Sequence, residues 1–357
     1  SLAKRAADHS DDAALARYFE GAIRHHRDQM LSDAFSVITG TADSLITKNS
    51  SRPSIILSPP GLVGEIAAFH DSRSYREAPI YGVAAGLACV SALSAGQFAL
   101  EMPAGPVSTN LYTLVLGATG SGKEMPRAVL KEVLKLVEYD GCETSAASEP
   151  ALLKRLAKKR NAVWTPDEFG RWLKFAGTSS GGHQYGLMSQ VMKLYGLAFS
   201  QTEPRDYADT KQNIPAIDRP YLSVMATSTS ESVTNAMSSE EVVGGALNRM
   251  VVIANDNNAP PFRDEERGVM SKQLKEALID RSQDGIYHRQ VRAEMDGKPF
   301  PKMTSGYFAI KPEPEAVTAL LNYRDEADNN RAKANSSAAH LWSRSYENAL
   351  RVAGCIA

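Results

Sequence analysis

Apolar residues fall into two kinds of run along this chain, and each kind predicts a different element. In the first kind, apolar positions stand three or four apart among charges. Leu15, Tyr18, Phe19, Ile23, Leu31, Phe35 and Ile38 follow this spacing in places and predict helices over residues 1–50, with a face that needs a partner surface. In the second kind, a short apolar run ends in turn residues, as in strands buried on both faces. LYTLVLG (Leu111 to Gly117), NAVWTPDE (Asn161 to Glu168), YLSVMATS (Tyr221 to Ser228) and RMVVIAND (Arg249 to Asp256) are such runs. Helical stretches separate them, including RAVLKEVLKLVEYD (Arg127 to Asp140). The expected fold is therefore α/β, a mostly parallel sheet flanked by helices.

The same pattern divides the chain. Residues 1–50 form a helical N-terminal segment, closed by the polar, turn-rich linker TKNSSRPS (Thr47 to Ser54). Residues 51–110 are a helical lead-in, read as helix from Pro59 to Leu100, and residues 111–256 are the core. Residues 257–357 form a C-terminal helical or lid region, charged and irregular at first and helical from Pro314 onward. The final ENALRVAGCIA stops inside an apolar helical pattern, so a longer parent protein is expected. No internal repeat or low-complexity block is evident.

Ala78 to Leu100 runs without a charge for the length of a membrane span. Its seven alanines, three glycines, two serines, Gln97 and Pro79 make it only weakly apolar, as in a helix packed inside a domain. No membrane association is expected. The N-terminal SLAKRAADHS lacks the apolar core of a secretory signal, which points to the cytoplasm. With 40 basic and 41 acidic residues there is no global cationic footprint, so any nucleic-acid site must be local. Cys89, Cys142 and Cys355 lack the paired spacing of a zinc site or a disulfide framework.

The candidate chemistry begins at Gly117-Ala-Thr-Gly-Ser-Gly-Lys-Glu124, which matches G-x-x-x-x-G-K between a predicted strand and a predicted helix. Glycines in such a loop let backbone N–H groups curl around phosphate oxygens at a helix N-terminus. Gly117, Thr119, Gly120, Ser121, Gly122, Lys123 and Glu124 are therefore the expected ATP-binding residues, with Lys123 reaching the β- and γ-phosphates. Most such loops place Ser or Thr after the lysine to hold Mg²⁺, and here Glu124 takes that place. Pro126 is expected to kink or delay the following helix.

At the end of NAVWTPDE stand Asp167, expected to position Mg²⁺, and Glu168, expected to polarise the attacking water. Thr227 and Ser228 end the next strand and are candidates for sensing the γ-phosphate or orienting that water. Capping of the following helix SESVTNAM is the competing account of this polar cluster, which includes Thr229. Arg249, before the last core strand, is a candidate for stabilising charge on the transferring phosphoryl group, with a structural role as its alternative. His183 has no metal-like partner spacing. Arg344 is either a lid residue touching nucleotide or a solvent-facing charge.

With PPGLVGEIAAF, the GKE loop ending followed by Pro126 and Arg127, PDEFG, YLSVMATST and GGALNRM, the chain resembles the phage and prophage replication helicases. These carry a RecA-like or AAA+-like P-loop ATPase core and are often associated with primase-polymerase domains. The resemblance covers roughly residues 55–357, and only the glycine loop in it is highly specific. It implies a ring, usually a hexamer, with nucleotide between subunits and single-stranded DNA in the channel. It also implies that the insertion Ala198 to Pro220 faces that channel, where Arg205 and Lys211 contact phosphates with Tyr207 near a base. A solvated surface hairpin is the plainer account of that insertion. GTSSGGHQYG (Gly177 to Gly186) is a second candidate channel loop or a mobile connection. A DNA-packaging or transposition ATPase, and a nucleotide-dependent DNA-binding initiator or assembly module without unwinding, are the alternatives to a helicase.

Overall fold

The computed structural model describes residues 57–139, 142–144, 146–176, 182–236, 245–255, 259–300, 303, 306–334 and 336–357. The helices expected over 1–50, the linker Thr47 to Ser54 and part of the GTSSGGHQYG segment lie outside these residues. The chain enters through α1 (Gly61–Arg73) and α2 (Pro79–Ser94) and then forms the antiparallel pair β1 (Phe98–Met102) and β2 (Gly105–Ser108). The core follows as β3 (Tyr112–Leu116), α3 (Met125–Leu136), β4 (Cys142–Thr144), α4 (Glu149–Lys158), β5 (Asn161–Trp164), α5 (Phe169–Ala176), α6 (Gly182–Leu194), β6 (Tyr221–Ser228), α7 (Ser230–Ala236) and β7 (Val251–Ala254). The chain ends with α8 (Lys272–Arg281), α9 (Gln283–Met295), β8 (Phe308–Ile310), α10 (Pro314–Lys333), α11 (Ser336–Trp342) and α12 (Ser345–Ile356).

The five core strands pair in the order β4-β5-β6-β3-β7, and every pairing is parallel. Alternation along the strands loads both faces of this sheet. Leu111 before β3, with Val115, Val163, Met225, Val251 and Ile253, joins an apolar cluster with α1, α2 and α3. Tyr112, Leu114, Leu116, Ala162, Trp164, Leu222, Val224 and Ala226 join a second cluster with α4 to α7. Helices therefore cover both faces, as the unbroken apolar runs require.

α2 is apolar all round because it is buried all round. A Cβ on Gly82 would come within 2.7 Å of the Ala67 carbonyl oxygen and one on Gly86 within 2.4 Å of that of Val63, so α1 and α2 cross with their backbones nearly touching. No helix among the described residues is long and apolar enough to cross a membrane.

Several expectations need correction. The Ala-rich helix ends at Ser94 rather than running to Leu100, because Ala95 and Gly96 take left-handed backbone angles that break the helix. The next residues form β1. Pro126 sits in the first turn of α3, where its missing N–H has no intrahelical partner to lose, so the helix begins before it instead of being delayed. The stretch after Asp256 was expected to be irregular up to Pro314, yet it holds α8 and α9. Each is started by a serine, with Ser271 Oγ accepting from Leu274 N and Ser282 Oγ from Gly285 N, both at 3.1 Å. α10 does begin at Pro314. The strand β4 was not foreseen.

Candidate functional site

The loop Gly117 to Glu124 leaves the carboxyl end of β3, a central strand, and runs into α3. Its start is held from three sides. Gly117 N donates to Ser228 O at 3.2 Å, and the Tyr81 hydroxyl donates to Leu116 O at 2.9 Å and lies 3.2 Å from Ser121 Oγ. A Cβ on Gly117 would fall 1.9 Å from that hydroxyl, so any side chain there would push Tyr81 off its bond to Leu116 O. Gly120 and Gly122 have φ of +78° and +90°, the left-handed region that turns the loop back on itself. Thr119 and Gly120 are exposed, Ser121 and Gly122 are buried, and Lys123 is half-buried with its Nζ donating to Ala118 O at 3.2 Å. Glu124 caps α3 without a side-chain capping bond.

Strand order brings the carboxylates to this loop. β6 lies between β3 and β5, so the ends of three adjacent strands share one edge. Arg127, one turn into α3, donates to Glu124 Oε2 at 2.7 Å and to Asp167 Oδ2 at 3.0 Å. Asp167 Oδ1 also accepts from the Thr227 hydroxyl at 2.9 Å and from Glu168 N at 2.8 Å. Partial burial pushes the Asp167 carboxyl up, but the bonds from Thr227, the Glu168 N–H and Arg127 outweigh it and hold the pKa below the usual value. Glu124 is shifted upward, first by burial and then by the charges of Asp167 and Glu168 against the pull of Arg127 and Lys123. Glu168 has φ of +48°, and its carboxylate pairs with Arg171 at 2.7 Å on an exposed face.

Among the described residues no group of three or more His, Cys, Asp or Glu side chains is arranged to hold a metal alone. Mg²⁺ commonly takes only one or two carboxylates, with waters and substrate phosphates completing its shell. Glu124 and Asp167 are the carboxylates placed to act in that way, and both are paired with the Arg127 guanidinium, which a metal would have to displace.

The strand-end polar residues divide their roles. Thr227 is fully buried and bonded to Asp167, while Ser228 Oγ accepts from Gly170 N at 3.1 Å. Thr229 does cap the following helix, its Oγ1 accepting from Ser232 N at 3.2 Å.

Other candidates lie apart from the loop. Val251 of β7 pairs with Thr113 of β3, so Arg249 precedes the amino end of its strand whereas the loop follows the carboxyl end of β3. At ~3.3 Å per strand residue, about 20 Å separates Arg249 from Gly117 along the sheet. Arg249 donates to Gly245 O and Asn248 Oδ1, and its pKa is lowered by burial and then by Arg344. The Asn248 side chain donates to Ser343 Oγ at 3.1 Å, which links the residues just before the two arginines. Arg344 pairs with Glu347 at 2.6 Å, and its charge acts on Arg249.

Arg205 pairs with Glu149 at 2.7 Å in a hairpin where Arg205 bridges Ile214 and Gln201 bridges Asp218. Tyr207 packs onto the second apolar cluster and Lys211 is exposed, as is His183 on α6. Three residues beside the loop escaped the sequence reading: Arg127, Tyr81 and Arg76. Arg127 carried a usable signal, a cation three residues after Glu124 on a helix. Tyr81 and Arg76 carried none, because they reach the loop only through the packing of α2 and the segment before it. Comparisons with protein-family models, curated proteins and solved structures found no significant match.

Proposed function

We propose that this chain is a Mg²⁺-dependent, ATP-hydrolysing P-loop enzyme and the core of a DNA helicase or translocase of the phage and mobile-element replication type. The observation that carries the reading is the convergence of Glu124, Arg127 and Asp167 at the mouth of a left-handed glycine loop, across three parallel strands. Backbone N–H groups of Gly120 to Lys123 surround the β-phosphate and Lys123 binds the β- and γ-oxygens. Glu124 and Asp167, once released from Arg127, would hold Mg²⁺, which would supply positive charge beside those oxygens. Glu168, released from Arg171, takes a proton from the water that attacks the γ-phosphorus as the bond to ADP breaks. Arg249 stands too far from its own loop to assist, so in this reading it serves the nucleotide of a neighbouring subunit in a ring.

Lys123→Ala tests the site. Phosphate release from ATP should need Mg²⁺, rise with single-stranded DNA and disappear in the variant, and strand displacement should accompany it. Equal turnover in both proteins ends the P-loop reading, while DNA-dependent assembly without displacement replaces the motor with an initiator.

A further inference from the structure

One flank of the loop carries an aromatic stack. The segment between α1 and α2 pairs antiparallel with the segment after β7. Arg76 stands opposite Phe262, Glu77 N donates to Pro261 O at 3.0 Å, and Arg263 N donates to Tyr75 O at 3.1 Å. The Arg76 guanidinium is tied down twice, by Nε to Gly120 O at 3.1 Å and by Nη1 to Pro260 O at 2.6 Å. It lies over the Phe262 ring, 3.4 Å from the centroid. The Tyr75 ring is 6.2 Å from Phe262 with 28° between the planes. A Cβ on Gly122 would sit 3.1 Å from the Arg76 Cβ, so the stack and the loop are in direct contact.

Phe262 remains 64% exposed. A single exposed phenylalanine is ordinary on a protein surface. This one is held in place by a guanidinium that is itself bonded to the glycine loop, so its position relative to Gly120 is fixed before any ligand arrives. Aromatic and guanidinium planes are the surfaces on which nucleobases stack, and stacking needs no edge-specific hydrogen bonds.

We propose that the Arg76, Phe262 and Tyr75 stack is the nucleobase subsite of the glycine loop, with Phe262 stacking the base of a nucleoside triphosphate. Arg76 is a positioning residue that sets the distance between the stack and the loop. The inference rests on the reading above that the loop binds the triphosphate, and it adds that the ligand is recognised at its base as well as at its phosphates.

The test is calorimetric titration of the chain, with Mg²⁺ present, using ATP and inorganic tripolyphosphate as separate ligands. Phe262→Leu keeps an apolar side chain but removes the ring, and should weaken ATP by roughly 5- to 150-fold while leaving tripolyphosphate unchanged. Phe262→Trp should recover ATP binding. Native ATP affinity in Phe262→Leu, or a parallel loss of both ligands, overturns the base subsite alone. If the unaltered chain binds tripolyphosphate no better than Lys123→Ala does, the phosphate-loop reading fails and the subsite fails with it.

Discussion

The Thr227 hydroxyl donates to Asp167 Oδ1 at 2.9 Å, tying the end of β6 to the residues just beyond β5. This bond helps hold Asp167 ionised and aimed at α3. Thr227→Val keeps the shape and removes the donor, so the Asp167 pKa should rise toward the ordinary carboxylate value. A group with a depressed folded pKa contributes stability above its unfolded pKa and loses it as pH falls through the folded value. The variant should lose this contribution at higher pH than the parent, with a destabilisation near neutrality of about 1 kcal/mol, since the carboxylate is half exposed. Carboxyl NMR titration and pH-dependent unfolding measure both, and an unmoved Asp167 titration rejects the coupling.

Glu168→Gln should bind ATP with near-native affinity and lose at least about 100-fold in turnover, the usual scale of a general base. Arg171→Ala should retain turnover or raise it, because Arg171 engages the Glu168 carboxylate in an exposed ion pair that proton transfer would have to break. Single-turnover phosphate release separates the two effects. Equal losses in both variants would mean that the ion pair belongs to the working site.

Glu124→Ser should keep activity by supplying a hydroxyl where Glu124 stands, whereas Glu124→Ala should need more Mg²⁺ for half-maximal turnover. A Mg²⁺ titration in which Ala behaves as the parent removes Glu124 from the metal site.

Arg249→Ala should bind ATP and hydrolyse it about 10³-fold more slowly, the lower range for an arginine acting on a transferring phosphoryl group. Arg249 precedes the amino end of its strand, away from its own loop, so this effect requires the proposed assembly of subunits. Mixing it with Lys123→Ala should restore some turnover, provided labelled subunits are seen to exchange. Exchange without rescue, or full activity in Arg249→Ala alone, assigns the residue to the fold.

Neutralising Arg205 and Lys211 together should flatten the salt dependence of single-stranded DNA binding by about one unit of slope rather than two. Arg205 already spends its charge on Glu149, which leaves Lys211 as the exposed contact. An unchanged slope places the DNA surface elsewhere.

Local pattern alone determined the four longer core strands, the loop between β3 and α3, and the helix from Pro314, because burial and periodicity are written in consecutive residues. It could not separate the end of α2 from β1, since an apolar run has the same composition whether helix or strand buries it. It also missed α8 and α9, whose narrow apolar stripes rest on Leu274, Leu278 and Ile286. Tertiary structure decided the order β4-β5-β6-β3-β7, and with it everything that depends on which strand ends lie side by side. That order sets Thr227 against Asp167 and brings Arg127 between two carboxylates distant in sequence, while the parallel register of β7 on β3 puts Arg249 at the opposite end of the strands from the loop. Pairing between distant strands is fixed by hydrogen bonds and packing that no single segment contains, so Glu124, Asp167 and Thr227 were legible in sequence as candidates, but their meeting and the part of Arg127 in it were not.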